Sequence, residues 1–161
     1  MTAEPSGTPE NTERPRGGPA DARAPANTER PLPVFPEPDT EPFWTATAEH
    51  RLTYQVCRQC GQVIFYPRRR CTGCTGGELE WRDSAGLGSV YSFTVIRQNG
   101  HPYFRSRIPY VVGLIDVDEG FQMVAEIDAA PGDVHVNQRV AVTWEDHPGL
   151  SVPLFRPDGE E

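Results

Sequence analysis

The sequence predicts a mainly β protein, in which a short N-terminal helix and a four-cysteine ribbon precede a small closed barrel. Three observations predict this order. All four cysteines of the 161 residues fall in two C-x-x-C pairs. Short segments rich in alternating apolar residues follow one another from residue 86 onward. The N-terminal part of the chain is rich in proline and almost free of large apolar residues, which marks it as a tail before the part expected to fold.

Residues 1–38 have the composition of a disordered tail or linker. Ten of the 17 prolines lie in residues 1–42, and no Val, Ile, Leu, Phe, Tyr or Trp occurs from residue 2 to residue 31. Such a segment buries too little surface to offset the entropy of ordering it, so its deletion is expected to leave stability unchanged. The pentapeptide Asn-Thr-Glu-Arg-Pro occurs twice, at 11–15 and 27–31, which we interpret as duplication within a linker. The tail is either an ordinary disordered terminus or a link to another part of a larger fusion.

The helix is predicted to begin next to the tail. Asp39 or Thr40 can cap it, a proline suits its first turn, and it should end near His50. Phe43 and Trp44 begin an apolar stripe only about three turns long, which is marginal alone. The helix must therefore pack on its own domain or on a partner.

The two cysteine pairs are Cys57-x-x-Cys60 and Cys71-x-x-Cys74. Each pair places two thiolates on one tight turn, and Gly61 after the first pair suits a positive φ. Two such turns that face each other across a hairpin give a closed tetrahedral four-sulfur site, which suits a structural Zn²⁺. Iron of the rubredoxin type is an alternative from the ligands alone. Two disulfides and a redox dithiol fit less well, because no secretion signal is evident and a redox centre needs only one pair.

Short strands flank the two turns. Residues 52–56 alternate with period two, residues 63–66 form the next strand up to a proline, and residues 78–81 lead away from the ribbon. We therefore assign residues 39–84 to the helix and the zinc ribbon.

Residues 85–161 are predicted to form a five-stranded OB-like barrel. The strands are expected at 89–98, 109–118, 121–127, 140–144 and 152–155. An Asp118-Glu119-Gly120 turn signals a hairpin, and Gly113 in mid-strand permits the sharp coiling of a closed barrel. A β-sandwich is the second choice, since about seventy residues with five strands are few for one.

Charge and hydropathy exclude several classes of protein. The formal net charge is −8 at pH 7, all 15 basic residues are arginine, and residues 39–161 hold 17 acidic residues against 11 arginines. Nucleic-acid binding needs a basic face, so none is expected. No apolar run is long enough to cross a membrane and no signal peptide pattern opens the chain, so we expect a cytoplasmic protein without membrane contact.

No catalytic constellation is evident in the sequence. It contains neither a nucleophile elbow nor a glycine-rich phosphate loop, and its four histidines lack helical ligand spacing. The cysteines are assigned to the metal. We therefore predict no catalytic residues and no turnover by the chain alone.

Taken in order, these motifs resemble the family called domain of unknown function 35, which comprises OB-fold proteins with a rubredoxin-like zinc ribbon associated with acyl-CoA metabolism. The resemblance covers about residues 38–157. Two positions depart from the family pattern, Thr72 in place of a usual proline and Asn137 in place of a glycine, although Asn tolerates the left-handed conformation. The matching features are Pro42-Phe43-Trp44, Cys57-x-x-Cys60-Gly61, Pro67-Arg68 before Cys71-x-x-Cys74, Gly86-x-Gly88-x-Val90-Tyr91-Ser92-Phe93-Thr94, Pro109-Tyr110-Val111 and Asp118-Glu119-Gly120.

The resemblance implies a non-catalytic subunit with a structural zinc ion. Family members pair with thiolase-like enzymes, and some pair with or are fused to hot-dog-fold enoyl-CoA hydratases in bacterial steroid side-chain degradation. The implied role is that of a required accessory subunit. The enzyme that requires it is either a thiolase-like aldolase, which is a carbon–carbon lyase, or a thiolase-type complex, and its substrate is a steroid side-chain acyl-CoA. The alternative is a single-stranded nucleic-acid binder, since ribbons and OB barrels often have that role, but the acidic charge disfavours it.

The helix and the loop between the first two barrel strands are the expected contacts with a partner or with coenzyme A. OB folds bind ligands near such loops, arginines suit phosphates, and exposed aromatic residues suit interfaces. The alternative for this loop is a polar, mobile hairpin end. The candidate residues are Phe43, Trp44, Arg97, His101, Tyr103, Phe104, Arg105 and Arg107.

Overall fold

The structure is a computed structural model that describes residues 28–33 and 39–159. The prediction of a disordered tail over residues 1–38 therefore falls mostly outside the described residues. In the described part, the helices are α1 (Glu41–Thr47) and α2 (Pro102–Arg105), with a 3-10 helix at Pro131–Asp133. The strands are β1 (Thr53–Cys57), β2 (Val63–Ile64), β3 (Leu79–Asp83), β4 (Leu87–Ile96), β5 (Tyr110–Val117), β6 (Phe121–Ile127), β7 (Arg139–His147) and β8 (Leu150–Pro157).

Helix α1 packs on its own chain. Phe43 is only 5% exposed and Thr47 is fully buried. The Thr47 hydroxyl donates to the Trp44 carbonyl at 2.8 Å and accepts from the Ser151 amide at 3.4 Å, which fixes the helix against β8. The helix ends at Thr47, two to three residues before the predicted end at about Glu49 or His50, and the φ of +56° at His50 prevents it from continuing through that residue.

The ribbon is a three-stranded antiparallel sheet in the order β2-β1-β3. Strand β2 is two residues long rather than the four predicted. It ends at Ile64 because Phe65 leaves the ladder and stacks on Phe121, with ring centroids 4.7 Å apart.

The second sheet is a closed barrel in the order β4-β5-β6-β8-β7, which confirms the predicted five-stranded barrel. Strand β6 alternates as predicted, with Phe121, Met123, Ala125 and Ile127 buried. Strand β8 is eight residues long rather than four, and it pairs with β7 along its whole length. Its prolines hide this extent in the sequence, because proline is a poor signal for a strand interior.

One apolar core joins the ribbon and the barrel. We call the four rings that connect them the aromatic joint: Phe43 of α1, Tyr54 of β1, Phe65 after β2 and Phe121 of β6. Successive centroids lie 5.7 Å apart for Phe43 and Phe65, and 5.3 Å apart for Tyr54 and Phe121. Such ring pairs stabilise beyond their buried area. The boundary placed after residue 84 stays a prediction, and the core continues across it.

Among the described residues, no helix combines the length and the apolar character needed to cross a membrane.

Barrel closure depends on a close backbone contact at Gly88. This residue pairs with Val117 of β5 on one side and with Val140 of β7 on the other. A Cβ atom on Gly88 would lie 2.5 Å from the Asp116 carbonyl oxygen, which is backbone and cannot rotate away. The sequence pointed instead to Gly113, where a Cβ would meet only the movable ends of isoleucine side chains.

We therefore expect Gly88→Ala to destabilise the barrel by about 1–3 kcal/mol, the usual cost of overpacking. Gly132→Ala is the matched control, because a Cβ there meets no heavy atom within 4 Å, and it should change stability by less than about 0.5 kcal/mol. Urea unfolding monitored by tryptophan fluorescence measures both. Equal stability of the two variants would contradict the close-contact account of Gly88.

Candidate metal centre and adjoining cleft

The four predicted cysteines converge on one point. Their sulfur atoms all lie within 4.8 Å of one another. The Cys57–Cys74 and Cys60–Cys71 sulfur distances are 3.6 Å and 3.5 Å. Four sulfurs at the 2.3 Å Zn–S bond length of a tetrahedral site are about 3.8 Å apart, so the set fits one zinc ion with no open position.

The two turns that carry the cysteines repeat one backbone pattern. The Gly61 amide donates to the Cys57 carbonyl at 2.9 Å, and the Thr75 amide donates to the Cys71 carbonyl at 3.1 Å. The residue that follows each pair is left-handed, with φ of +74° at Gly61 and +62° at Thr75. The prediction for Gly61 is confirmed. The left-handed residue of the second turn, Thr75, was not predicted, because threonine rarely adopts this conformation.

The local electrostatics favour a cation between the sulfurs. The backbone N–H of Cys74, against the cost of burial and with help from the N–H of Gly73, lowers the pKa of the Cys71 thiol to about 6. For Cys60 the backbone N–H of Gln62 favours the thiolate, yet hydrogen bonds shared with the neighbouring sulfurs raise its pKa to about 12. Four thiolates this close cannot all ionise without a compensating charge, which a bound metal ion supplies.

A cleft of about 400 Å³ lies beside the ribbon, between α1, α2 and the barrel. Tyr66 and Val124 at this cleft are 52% and 55% exposed, which is high for large apolar side chains. The lining is mostly apolar and includes Phe43, Trp44, Phe65, Tyr66, Phe104, Tyr110, Val112, Met123, Val124, Ala125, Val152 and Pro153. Arg30, Thr40, Pro67 and Glu126 complete it.

The cleft brings together three of the predicted contact residues, Phe43, Trp44 and Phe104. Phe43 is a core residue and anchors the short helix on its own domain, which is one of the two arrangements expected for this helix. Trp44 is half-buried and packs edge-on against Phe43, with centroids 5.0 Å apart. As contacts with a partner or with coenzyme A, the predicted residues remain predictions.

The loop after β4 contains one helical turn, α2, that was predicted only as a loop. His101 is its N-cap, and its Nδ1 accepts from the Tyr103 amide at 3.3 Å. Arg105 is exposed and donates to the carbonyls of Asn99 and Gly100 in its own loop. Arg97 is also exposed, and neither of these arginines lines the cleft.

The third arginine of the loop, Arg107, is committed to two acidic residues. It lies 2.7 Å from Glu126 and 3.2 Å from Glu145, and it also contacts the Tyr103 hydroxyl. We call Glu126 and Glu145 the carboxylate pair; their side chains are 8% and 23% exposed. The two carboxylates neutralise the charge of Arg107, so this residue is a poor candidate for binding phosphate.

A second arginine reaches the same pair from the tail. Arg30 lies 2.7 Å from Glu145 and 3.3 Å from Glu126, although residues 1–38 were expected to make no contacts. Burial opposes the ionisation of Glu145, but the Tyr103 hydroxyl and the charges of Arg30 and Arg107 outweigh it and lower the pKa of Glu145. Sequence reasoning missed this network because its members are far apart in the chain.

Two family models match adjacent parts of the chain. The model described as the ChsH2 rubredoxin-like zinc ribbon domain matches residues 44–80. The model described as the ChsH2 C-terminal OB-fold domain matches residues 81–145. The matched residues coincide with the ribbon and with most of the barrel, and the four cysteines positioned to bind a metal ion lie within the first match.

Among solved structures, a chain of an Ltp2-ChsH2(DUF35) aldolase is similar in fold and sequence. The TM-score is 0.70 and the identity 31%, over 80% of this chain and 98% of that chain.

Curated relatives include a probable enoyl-CoA hydratase alpha subunit from Thermomonospora curvata, 33% identical over 80% of this chain and 40% of its own length. A DUF35 domain-containing scaffold protein from Methanothermobacter thermautotrophicus is 31% identical over 59% of this chain and 72% of its own. A 3-oxo-4,17-pregnadiene-20-carboxyl-CoA hydratase alpha subunit from Mycobacterium tuberculosis is 28% identical over 74% of this chain and 38% of its own. The chain thus spans about two fifths of the length of both hydratase subunits.

We expect the purified chain to hold about one zinc ion and to lose the folded ribbon when a ligand is removed. Structural zinc sites contribute on the order of 10 kcal/mol of apparent binding free energy at neutral pH. Cys71→Ser should therefore lose the metal and give insoluble or partly unfolded protein. Thr72→Ala, at an exposed position between two ligands, should keep the metal and the folded ribbon. Elemental analysis and thermal melting test this. A metal-free Cys71→Ser protein that melts like wild type would contradict it.

The lowered pKa of Glu145 predicts a specific acid sensitivity. A carboxyl group whose pKa is lower in the folded state stabilises the fold above its unfolded value, about 4.3, and loses that contribution as the pH falls through the folded pKa. Between about pH 6 and pH 3, the wild type should lose more stability than Glu145→Gln. Glu78→Gln, at an exposed position, should follow the wild type. Thermal melting across this range measures the difference, and parallel curves for all three proteins would refute it.

Proposed function

Since this chain belongs to the DUF35 family, we propose that it is a non-catalytic subunit of an acyl-CoA-processing complex. The observation that carries this proposal is the nearly complete overlap with the DUF35 chain of a solved aldolase, at 31% identity. A relative named as a DUF35 domain-containing scaffold protein, 31% identical over 72% of its own length, also supports it. A subunit of this kind contributes surface and position, and its partner contributes the reacting groups.

The contacts of three of the four described histidines support a structural rather than a catalytic role. His101 caps α2, His147 lies 3.0 Å from Glu145, and His50 stacks on Trp144 at 5.4 Å while contacting Asp146. A general base needs a free nitrogen within reach of a substrate. The cysteines are arranged for a metal with four sulfur ligands, which leaves no open position for chemistry.

The partner we propose is a thiolase-like aldolase that cleaves a steroid side-chain acyl-CoA by a retro-aldol reaction. The aldolase with a DUF35 chain supports the type of partner, and the relative named for a pregnadiene carboxyl-CoA supports the type of substrate. The hydratase subunits support a hydratase as a second partner, since this chain matches only part of their length.

The cleft is the surface that we assign to the aldolase subunit. Its lining is apolar, two large side chains beside it are half-exposed, and Trp44 lies at its helix side. Buried aromatic anchors of this kind dominate interface energies. Of the three arginines predicted in the loop, Arg97 and Arg105 are the better candidates for the phosphates of coenzyme A, because the carboxylate pair neutralises Arg107.

Co-expression with a thiolase-like protein from the same genome tests both the assembly and the surface. The complex should co-purify and show retro-aldol turnover of a hydroxylated steroid acyl-CoA, while the isolated chain shows none. Tyr66→Ala should weaken assembly by about 1–3 kcal/mol. Tyr91→Ala is the matched control, because Tyr91 is 56% exposed and lies outside the cleft lining, and it should assemble like wild type.

Two results would overturn the proposal in separable ways. Turnover by the isolated chain, or no assembly with any thiolase-like protein of the genome, would refute the accessory role. Assembly that is equally strong in the Tyr66 and Tyr91 variants would keep the role and remove the cleft as its surface.

A further inference from the structure

Residues 28–33 lie against the barrel, and Arg30 is their anchor. Its side chain is only 11% exposed. One terminal nitrogen lies 2.7 Å from the Glu145 carboxylate, 3.3 Å from Glu126 and 3.5 Å from the Tyr103 hydroxyl. In a disordered tail this guanidinium would be exposed to water, so its burial against the barrel requires an explanation. We call residues 28–33 the docked segment.

Aromatic rings make the site selective for a guanidinium group. The Arg30 Cζ atom lies 5.4 Å from the centroid of Phe104 and 5.7 Å from that of Tyr103. These distances are typical of cation–π contacts, and arginine makes them more often than lysine. Arginine is also more weakly hydrated than lysine, so it loses less on entering a half-buried acidic site.

The charge balance of the site calls for a second cation. The carboxylate pair holds two negative charges, Arg107 supplies one permanent positive charge, and His147 lies 3.0 Å from Glu145. Glu126 is nearly buried, and a buried carboxylate left without a partner is costly. Arg30 provides the missing charge on the side of the pair that borders the cleft.

The residue that fills the site belongs to a repeated motif. Arg30 is the fourth residue of the second Asn-Thr-Glu-Arg-Pro copy, and Arg14 is its equivalent in the first copy. After the motif, Leu32 and Pro33 are half-buried, so the contact extends beyond the arginine. The expectation of mere linker duplication does not account for a copy that inserts its arginine between two acidic residues.

We infer that the carboxylate pair, with Tyr103 and Phe104, is a peptide-recognition site for the Asn-Thr-Glu-Arg-Pro repeat, filled in cis by Arg30. The repeat is then a tethered ligand of its own barrel. A short covalent connection to residue 39 gives the docked segment an effective concentration on the order of millimolar. A free peptide with the same sequence therefore competes poorly with the wild-type chain and binds well once the tethered arginines are removed.

The test is a titration of the ¹⁵N-labelled full-length chain with a synthetic peptide of residues 27–33, followed by NMR chemical shifts of the amides around the carboxylate pair. Arg14→Ala/Arg30→Ala should bind this peptide at least fivefold more tightly than the wild type does. Arg16→Ala/Arg23→Ala is the matched control, because it removes two tail arginines outside the repeats, and it should behave like wild type. A peptide with lysine in place of arginine should bind the double variant at least threefold more weakly.

Further variants keep the inference falsifiable. Adding Glu145→Gln to the double variant should abolish peptide binding. If the double alanine variant does not give the spectrum of a folded protein, the titration is repeated with Arg14→Lys/Arg30→Lys. This variant should also bind the arginine peptide more tightly than the lysine peptide. Equal binding to wild type and variant, no binding to the variant, or equal binding of the lysine peptide would each overturn the inference. A concentration-dependent dimer that dissociates when Arg30 is replaced would assign the contact to a second copy and overturn docking in cis.

Discussion

Mutual repulsion between four sulfur atoms is the constraint on which the N-terminal half of this structure depends. The chain forces them to within 4.8 Å of one another, and its backbone amides already favour the thiolate of Cys71. A bound cation offsets the charge of the thiolates, so we expect the two turns and the short β2 strand to gain order from metal binding. A two-residue strand and a two-turn helix are too short to hold the cysteine-bearing turns in place alone.

The aromatic joint connects this metal-dependent half to the barrel. Phe65 stacks on Phe121, and both Phe65 and Tyr66 lie on the cleft side of the ribbon. The walls of the cleft thus come from α1, the ribbon and the barrel, with Phe104 of α2 and Arg30 of the docked segment completing them. The surface that we propose for the aldolase subunit thus depends on the ribbon as well as on the barrel.

Local signals predicted the parts of the structure that local physics decides. The cysteine spacing, the alternation in β6 and the left-handed Asn137, with a φ of +66°, all follow from residues close in the chain. The sequence missed features that depend on distant partners. Arg30 meets Glu126 and Glu145 across 96 and 115 residues, and no periodicity records such a pair. The extent of β8 was also hidden, since its pairing with β7 tolerates prolines that a single strand would not.

The barrel closes through few paired positions at two of its joints: β4 pairs with β7 only at Leu87, Gly88 and Ser89, and β6 pairs with β8 only at Ile127. Unpaired strand edges are the places where a partner can recognise a protein by adding a strand. In the ribbon sheet, the outer strands are β2 and β3. Strand β3 carries Glu80, Arg82 and Asp83, and charges of this kind discourage uncontrolled strand pairing. The charges on β3 thus protect one edge of the ribbon, whereas the barrel has its fewest strand pairings at the β4–β7 and β6–β8 joints.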